Sequence, residues 1–264
     1  MSYLRLAQAL PKVFGKGRGE NTFCKKGFTH NHTTTKKGKI NMRMRYKKHL
    51  EERMSAVSDV LLHREVEEFY RMTEKEKNFV VNPADVFGND NPLYLELGCG
   101  KGSFAIQSAT LHHDRNYIAL EKLSNVIVVG CEQAQKAALP NLRFLNCRAE
   151  NLLYYLPKNS VTEIILNFSC PFPKKTYANR RLTSPNYLAI YKQLLTADGI
   201  IRQKTDDRPF FDYSVETLTA NGWEVYDIDY NLPADADGNI VTEYESKFRA
   251  IGKPIYSLKA RLHS

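Results

Sequence analysis

A regular alternation of short apolar segments with helix-forming segments constrains the fold more than any other feature of the chain. The alternation begins at residue 93 and continues almost to residue 262. Nearly continuous apolar strands joined by helices are typical of a parallel sheet covered by helices on both faces. We therefore expect an α/β, Rossmann-like, mostly parallel sheet. The predicted strands are Leu93–Leu97, Asn116–Leu120, Leu142–Asn146, Glu163–Phe168, Ile200–Lys204, Trp223–Tyr230 and Ile255–Arg261.

Charge and composition divide the chain into three parts. The 264 residues include 38 Lys and Arg and 29 Asp and Glu, which gives a formal net charge of +9. Residues 1–41 contain nine of these cations and one acid, so they supply +8 of that charge. Their Gly-, Thr- and Lys-rich composition predicts a mostly disordered basic arm, which either contacts phosphates or is a solvated tail. Residues 42–92 are predicted as a helical segment, with a helix from Leu50 to about Lys77, and residues 93–264 as the sheet domain.

The absence of long apolar runs and the spacing of the cysteines argue against a membrane-spanning protein and a disulfide-framework protein. No run of 18 apolar residues occurs, so the sequence excludes a membrane span. The five cysteines are scattered and include no Cys-x-x-Cys pair. This pattern argues against a disulfide framework and a thiolate zinc site, and it favours a reducing compartment. We therefore expect a cytoplasmic protein without a membrane partner and without a bound metal.

A glycine-rich turn joins the first predicted strand to the first predicted helix. Its sequence, Glu96-Leu97-Gly98-Cys99-Gly100-Lys101-Gly102, lacks the last glycine of the dinucleotide fingerprint because residue 103 is Ser. No Lys-Ser or Lys-Thr pair completes a Walker loop. A carboxylate before the glycines suits the ammonium and sulfonium charges of S-adenosylmethionine (SAM), and Glu121 ends the next strand, where an acid can accept hydrogen bonds from ribose hydroxyls. The predicted SAM-binding residues are Glu96, Gly98, Gly100, Gly102 and Glu121.

An irregular insertion with several cations follows the fourth predicted strand. The insertion is predicted at 169–184, and the motif that leads into it begins at Asn167, at the sheet edge where ligands bind in open α/β folds. Phosphate contacts and base stacking are what such a mixture of cations and aromatic rings offers to RNA. The alternative is a basic loop that is merely solvated. The cations are Lys174, Lys175, Arg180 and Arg181, and the rings are Phe172 and Tyr177.

Several of these motifs together resemble one known family. From about Met42 to Leu262 the chain is similar to the bacterial single-chain tRNA (guanine-N7-)-methyltransferases. The resemblance implies a seven-stranded, SAM-dependent class I methyltransferase fold that acts on the variable-loop guanosine of tRNA. It also implies that Lys174, Asp206, Thr242 and Glu245 bind the substrate. The matching motifs are Met42–Lys48, Glu96–Gly102, Glu121, Asn167–Lys175, Arg180–Pro185, Lys204–Asp206 and Thr242–Glu245.

Two residues depart from the pattern of that family. Cys170 stands where the family has an Asp with a proposed catalytic and cofactor-binding role, so Cys170 is a candidate for both roles. Arg148 stands where the family has an acid on the adenosine side of the pocket, so Arg148 is a candidate cofactor-binding residue. A thiol is a weak hydrogen-bond partner and is mostly neutral. The two departures leave open a catalytically degenerate relative that still binds tRNA.

The implied chemistry needs alignment more than a general base. Guanine N7 has an exposed lone pair and no proton to remove, so attack on the SAM methyl requires in-line positioning. The product base is cationic, and a nearby carboxylate such as Asp206 would stabilise it. An alternative is methylation of an exocyclic amino group, because Ser169-Cys170-Pro171-Phe172 is similar to the [Asn/Asp/Ser]-Pro-Pro-[Tyr/Phe] loop of that class without its first Pro. The expected partner is tRNA, and a monomer or weak homodimer is expected.

Overall fold

A single eight-stranded sheet organises the described chain. The computed structural model describes residues 47–64 and 81–262. The sheet order is β1-β4-β3-β2-β5-β6-β8-β7, with antiparallel pairing of β8 to β6 and to β7 and parallel pairing elsewhere. The expected α/β, mostly parallel, Rossmann-like architecture is therefore confirmed. The strands are β1 (Leu61–Arg64), β2 (Leu93–Leu97), β3 (Asn116–Leu120), β4 (Leu142–Asn146), β5 (Val161–Asn167), β6 (Leu195–Thr205), β7 (Trp223–Asp229) and β8 (Tyr256–Leu262).

Helices cover both faces of the sheet and divide its core in two. One apolar cluster packs Leu152, Leu188 and Phe211 against the sheet, and the other packs Ala105 and Ile127 against its opposite face. No described helix is long and apolar enough to cross a membrane. The helices are α1 (Leu50–Ala56), α2 (Pro83–Phe87), α3 (Ser103–Leu111), α4 (Ser124–Lys136), α5 (Leu152–Tyr155), α6 (Pro185–Leu194), α7 (Arg208–Ala220) and α8 (Glu243–Ala250).

The amino-terminal part of the described chain differs from the sequence prediction. The helix expected from Leu50 to about Lys77 ends at Ala56, and β1 follows it as an eighth strand at the sheet edge. The carbonyl of Val60 accepts a hydrogen bond of 2.8 Å from the Phe144 amide of β4. Pairing with β4 satisfies backbone groups that a helix would have satisfied internally, so tertiary contact overrides the helical spacing. The rest of that predicted helix, and the basic arm at residues 1–41, lie outside the described residues.

The strand order places a crevice at one edge of the sheet. From β2 the chain adds β3 and β4 on one side and then β5 and β6 on the other, so the order reverses between β2 and β5. These two strands are parallel neighbours, with Glu96 in register with Ile165. Ligands of open α/β sheets bind at such a switch point, beyond the carboxyl ends of the strands. The predicted glycine turn and the basic insertion both begin there.

Candidate cofactor and acceptor sites

The three predicted glycines have left-handed backbones but different surroundings. Their φ angles are 75° at Gly98, 61° at Gly100 and 73° at Gly102, where side chains are strained. A Cβ atom at Gly98 or Gly100 would meet nothing within 4 Å. A Cβ atom at Gly102 would lie 2.9 Å from the ring of Phe144. The first two glycines therefore border open space that a ligand can enter, whereas the third lets the loop pack on the sheet.

Glu96 is a buried carboxyl group with one unsatisfied oxygen. Only 4% of the residue is exposed, and its Oε1 accepts a hydrogen bond of 3.1 Å from Asn167 Nδ2 of β5. Its Oε2 has no hydrogen-bond partner of ordinary geometry among the described residues, although the backbone amide of Ala105 is near enough to lower the pKa of the carboxyl group. Burial raises the pKa of Glu96 to about 7, against the opposing effects of the Asn167 hydrogen bond and the Lys204 charge. A buried acceptor without a partner is costly, so Oε2 marks a place for a donor or a cation.

Glu121 lies beside the glycine loop, directly after β3. Its Oε1 accepts a hydrogen bond of 3.0 Å from the Leu123 amide, and burial raises its pKa, partly opposed by that bond. The amide of Gly98 donates a 2.8 Å bond to the carbonyl of Leu120, the residue before Glu121. The structure therefore brings the second predicted acid to the same end of the sheet as the glycines.

The two residues that depart from the family pattern also follow strands that end at this edge. Arg148 is exposed and precedes a short 3₁₀ turn, Ala149–Asn151, after β4. Cys170 is a half-buried cysteine in the loop after β5 and forms no disulfide within the described residues. Both residues are therefore at the sheet edge that carries the glycine loop, and their assignment to the cofactor stays a prediction.

The four cations of the insertion do not share one environment. Lys174, Lys175 and Arg180 are exposed, and the guanidinium of Arg180 lies 4.6 Å from the centroid of the Tyr177 ring. Arg181 instead folds back, and it donates hydrogen bonds to backbone carbonyls of its own loop. Three of the predicted RNA-contact cations therefore face solvent, and the fourth is engaged within the protein.

Two of the predicted substrate-binding residues form part of a buried polar network. Glu245 is fully buried, and its carboxylate accepts hydrogen bonds from Lys204 (2.7 Å), Asn239 (3.0 Å) and Arg249 (2.7 Å). Burial opposes its ionisation, but these donors, Lys204 foremost, hold the pKa of Glu245 below its ordinary value. Thr242 Oγ1 accepts a 3.0 Å bond from the Glu245 amide and so caps α8. Glu245 would have to exchange an internal partner to touch a substrate.

Asp206 directly follows β6, and its partner lies in the loop after α8. Its Oδ2 pairs with Lys253 Nζ at 2.9 Å, and 11% of its side chain is exposed. The Lys253 ammonium also lies 4.9 Å from the centroid of the Phe248 ring, which stacks on Phe168 at the start of the insertion. Contacts of Lys253 and Phe248 therefore link Asp206 to α8 and to the start of the insertion.

The residues at this edge of the sheet fit SAM. A buried carboxyl oxygen without a partner suits a cationic ligand, and the open space beside Gly98 and Gly100 admits a ligand close to the backbone. Sequence reasoning named these groups from the motif alone. It did not assign Asn167 as the donor to Glu96, or Lys204 as the partner of Glu245, although both residues stood in motifs it singled out.

Comparisons with known proteins agree with this arrangement. A family model described as a putative methyltransferase matches residues 90–258. A tRNA (guanine-N(7)-)-methyltransferase from Geobacillus thermodenitrificans is 41% identical over 177 residues, which are 67% of this chain and 82% of that protein. The protein of the same name from Listeria monocytogenes is 40% identical over 199 residues, 72% of this chain and 93% of the relative. The chain belongs to the tRNA (guanine-N7-)-methyltransferase family.

Solved structures agree at the level of the fold. The crystal structure of the 16S rRNA methyltransferase KamB matches with a TM-score of 0.55 and 18% identity, over 78% of this chain and 99% of that one. An antibiotic-related methyltransferase matches with a TM-score of 0.51 and 16% identity, over 70% of this chain and 95% of that one. These likenesses show that this chain shares its fold with the two solved methyltransferase structures.

Proposed function

We propose that this protein transfers the methyl group of SAM to N7 of a guanosine in the variable loop of tRNA, in the cytoplasm and as a monomer or weak homodimer. The observation that carries the proposal is the placement of Glu96, with its unpaired buried oxygen, at the switch point next to the basic insertion. Membership of the tRNA (guanine-N7-)-methyltransferase family supports the same reaction.

The residues around the glycine loop would hold the methyl donor. SAM supplies an electrophilic methyl group on a positively charged sulfur. Glu96 Oε2 would face the positive charge, and Glu121 would accept hydrogen bonds from the ribose. Gly98 and Gly100 would let the ligand approach the backbone, while Gly102 keeps the loop packed on Phe144. Arg148 and Cys170 are assigned to the rim of this site.

The acceptor side would position the base and its phosphates. Lys174 is exposed and suited to contact a phosphate. Asp206, held by Lys253, would accept hydrogen bonds from the amino and imino groups of guanine or stabilise the cationic product. Thr242 and Glu245 would support this side through the fixed position of α8. No residue needs to remove a proton from N7, so the protein acts by alignment.

The test is methyl transfer to an unmodified tRNA transcript, followed by mass analysis of its nucleosides. We expect 7-methylguanosine, and none when the variable-loop guanosine is replaced by adenosine. An N2-methylguanosine or N6-methyladenosine product would instead support transfer to an exocyclic amino group. Retained tRNA binding without detectable SAM binding would contradict the enzymatic function and support a degenerate relative.

A further inference from the structure

The loop that carries Cys170 is bent sharply on both sides of it. Phe168, directly after β5, has a φ angle of 50°, and Phe172 has a φ angle of 42°. Both are bulky side chains in the left-handed region, where the backbone is strained. Such a backbone persists only where neighbouring groups hold it, so the contacts of this loop decide where Cys170 lies.

The first bend is held by β6 and α8. The amide of Phe168 donates a 2.8 Å hydrogen bond to the carbonyl of Lys204, and the Phe168 ring stacks on Phe248 with 5.8 Å between centroids. These contacts fix the position at which the chain leaves the sheet. They do not fix the second bend, which lies beyond Cys170.

The second bend is held by Arg181. Its Nε donates a 2.9 Å hydrogen bond to the carbonyl of Pro171, and its Nη2 donates a 3.1 Å bond to the carbonyl of Phe172. Its guanidinium lies 4.2 Å from the centroid of the Tyr213 ring on α7. Helix α7 is itself anchored, because Asp207 caps it and Phe210 in its first turn is buried. Arg181 therefore ties the loop to a fixed helix.

We propose that Arg181 is a positioning residue for methyl transfer, which holds the Cys170 loop against the acceptor base, and is not a ligand of the tRNA backbone. The inference rests on the proposed function. A planar guanidinium can donate to two adjacent carbonyls and stack on a ring at the same time, and an ammonium cannot reproduce this geometry. The guanidinium of Arg181 already stacks on a ring and donates two hydrogen bonds to carbonyls, which disfavours a contact with phosphate.

The neighbouring Arg180 provides a matched comparison. It stands one residue earlier in the same basic run, yet it is exposed and contacts the Tyr177 ring on the surface. The two arginines have the same chemistry and adjacent positions but different surroundings. If surroundings determine role, Arg180 contributes to tRNA affinity and Arg181 to the rate at saturating tRNA.

The experiment compares Arg181→Lys with Arg180→Ala in steady-state methylation and tRNA binding at several salt concentrations. We expect Arg181→Lys to lower kcat by roughly tenfold or more while tRNA affinity and its salt dependence stay the same. We expect Arg180→Ala to raise the KM for tRNA and reduce the salt slope by about one. The proposal is overturned if Arg181→Lys weakens tRNA binding with a reduced salt slope and retains kcat.

Two further readouts separate positioning from a folding defect and from failure of the proposed function. SAM affinity, measured by calorimetry, should change much less than kcat in Arg181→Lys, since Glu96 and the glycine loop are untouched and Cys170 lies only at the rim of the SAM site. Alkylation of Cys170 by iodoacetamide, followed by mass spectrometry, should be several-fold faster in Arg181→Lys because the second bend is released. An unchanged alkylation rate would contradict the positioning role of Arg181, whatever product the wild type forms. Absence of 7-methylguanosine with the wild type would instead contradict the proposed function.

Discussion

The cofactor side and the acceptor side of the crevice differ in how their polar groups are used. On the cofactor side, Oε2 of Glu96 is buried and has no hydrogen bond of ordinary geometry within residues 47–64 and 81–262, and Gly98 and Gly100 border open space. On the acceptor side, Glu245 has a full set of internal donors and Asp206 is paired with Lys253. One side is ready for a ligand, and the other is held together by its own residues.

The difference teaches how a motif residue should be interpreted. A buried polar atom without a hydrogen-bond partner is unfavourable in free energy, so it indicates a ligand-binding role. A buried polar atom whose hydrogen bonds are satisfied within the protein indicates a structural role first. Substitutions on the acceptor side should therefore change mainly stability and turnover. Substitutions of residues that border the ligand on the cofactor side should change mainly SAM affinity.

The largest effect on stability is expected from Lys204→Met. The substitution leaves Glu245 buried with fewer donors, and breaking a buried pair on one side costs about 3 kcal/mol or more. Urea unfolding should show this loss, while Lys247→Met, which removes only an exposed pair with Glu243 on α8, should change little. A Lys204→Met protein with normal stability and lost SAM affinity would reverse the assignment of this residue.

The glycine loop should show two different responses to alanine. Gly102→Ala should lower the free energy of unfolding by about 2–4 kcal/mol, because the left-handed backbone and the contact with Phe144 both oppose a Cβ. Gly100→Ala should cost about 1 kcal/mol from backbone strain alone. Its main effect should be on SAM affinity, since the methyl group enters the space assigned to the ligand. Equal loss of stability in the two variants would contradict this division.

Cys170→Asp tests the departure at the rim of the cofactor site. A carboxylate beside the developing positive charge should raise kcat by about tenfold relative to the thiol, without a change in tRNA affinity. Cys170→Ser, which keeps the size and adds no charge, is the control. Loss of turnover in Cys170→Asp would show instead that the thiol is adapted to this site.

The smallest effect is expected from Lys253→Ala. Its side chain is 46% exposed, so loss of its ion pair with Asp206 should cost less than about 1 kcal/mol. Thermal unfolding and SAM calorimetry should both be nearly unchanged, and turnover should fall slightly because Asp206 is less fixed. A large loss of SAM affinity would place Lys253 on the cofactor side.

The sequence predicts the sheet and the glycine loop well because both depend on local patterns. The strands β2 and β3 are mostly apolar, and glycines that follow a strand favour a turn there. The end of α1 could not be predicted in this way, because Leu61 and Leu62 beyond it belong to a pattern with helical spacing. The structure pairs Leu61 instead with Phe144, which is distant in sequence. The formation of β1 where a helix was predicted is therefore an effect of tertiary contacts.

The roles of Glu245 and Arg181 could not be predicted either. Their residue types are typical of substrate binding, and only the folded chain shows which donors and acceptors surround them. The burial of Glu245 depends on Lys204 and Asn239, which are distant in sequence or in a loop. Glu96 was easier to predict, because its position before the glycines fixes it at the sheet edge.

Calorimetry of SAM binding to the free protein tests the central claim, that the cofactor side is prepared for a cation without tRNA. Burial raises the pKa of Glu96 to about 7, so the carboxyl group is protonated below that pH and ionised above it. We predict that wild type binds SAM without tRNA, and more tightly at about pH 8 than at about pH 6. We predict that Glu96→Gln binds roughly tenfold more weakly at the higher pH and lacks this rise. Equal affinities of the two proteins at both pH values, or binding only with tRNA present, would contradict the account.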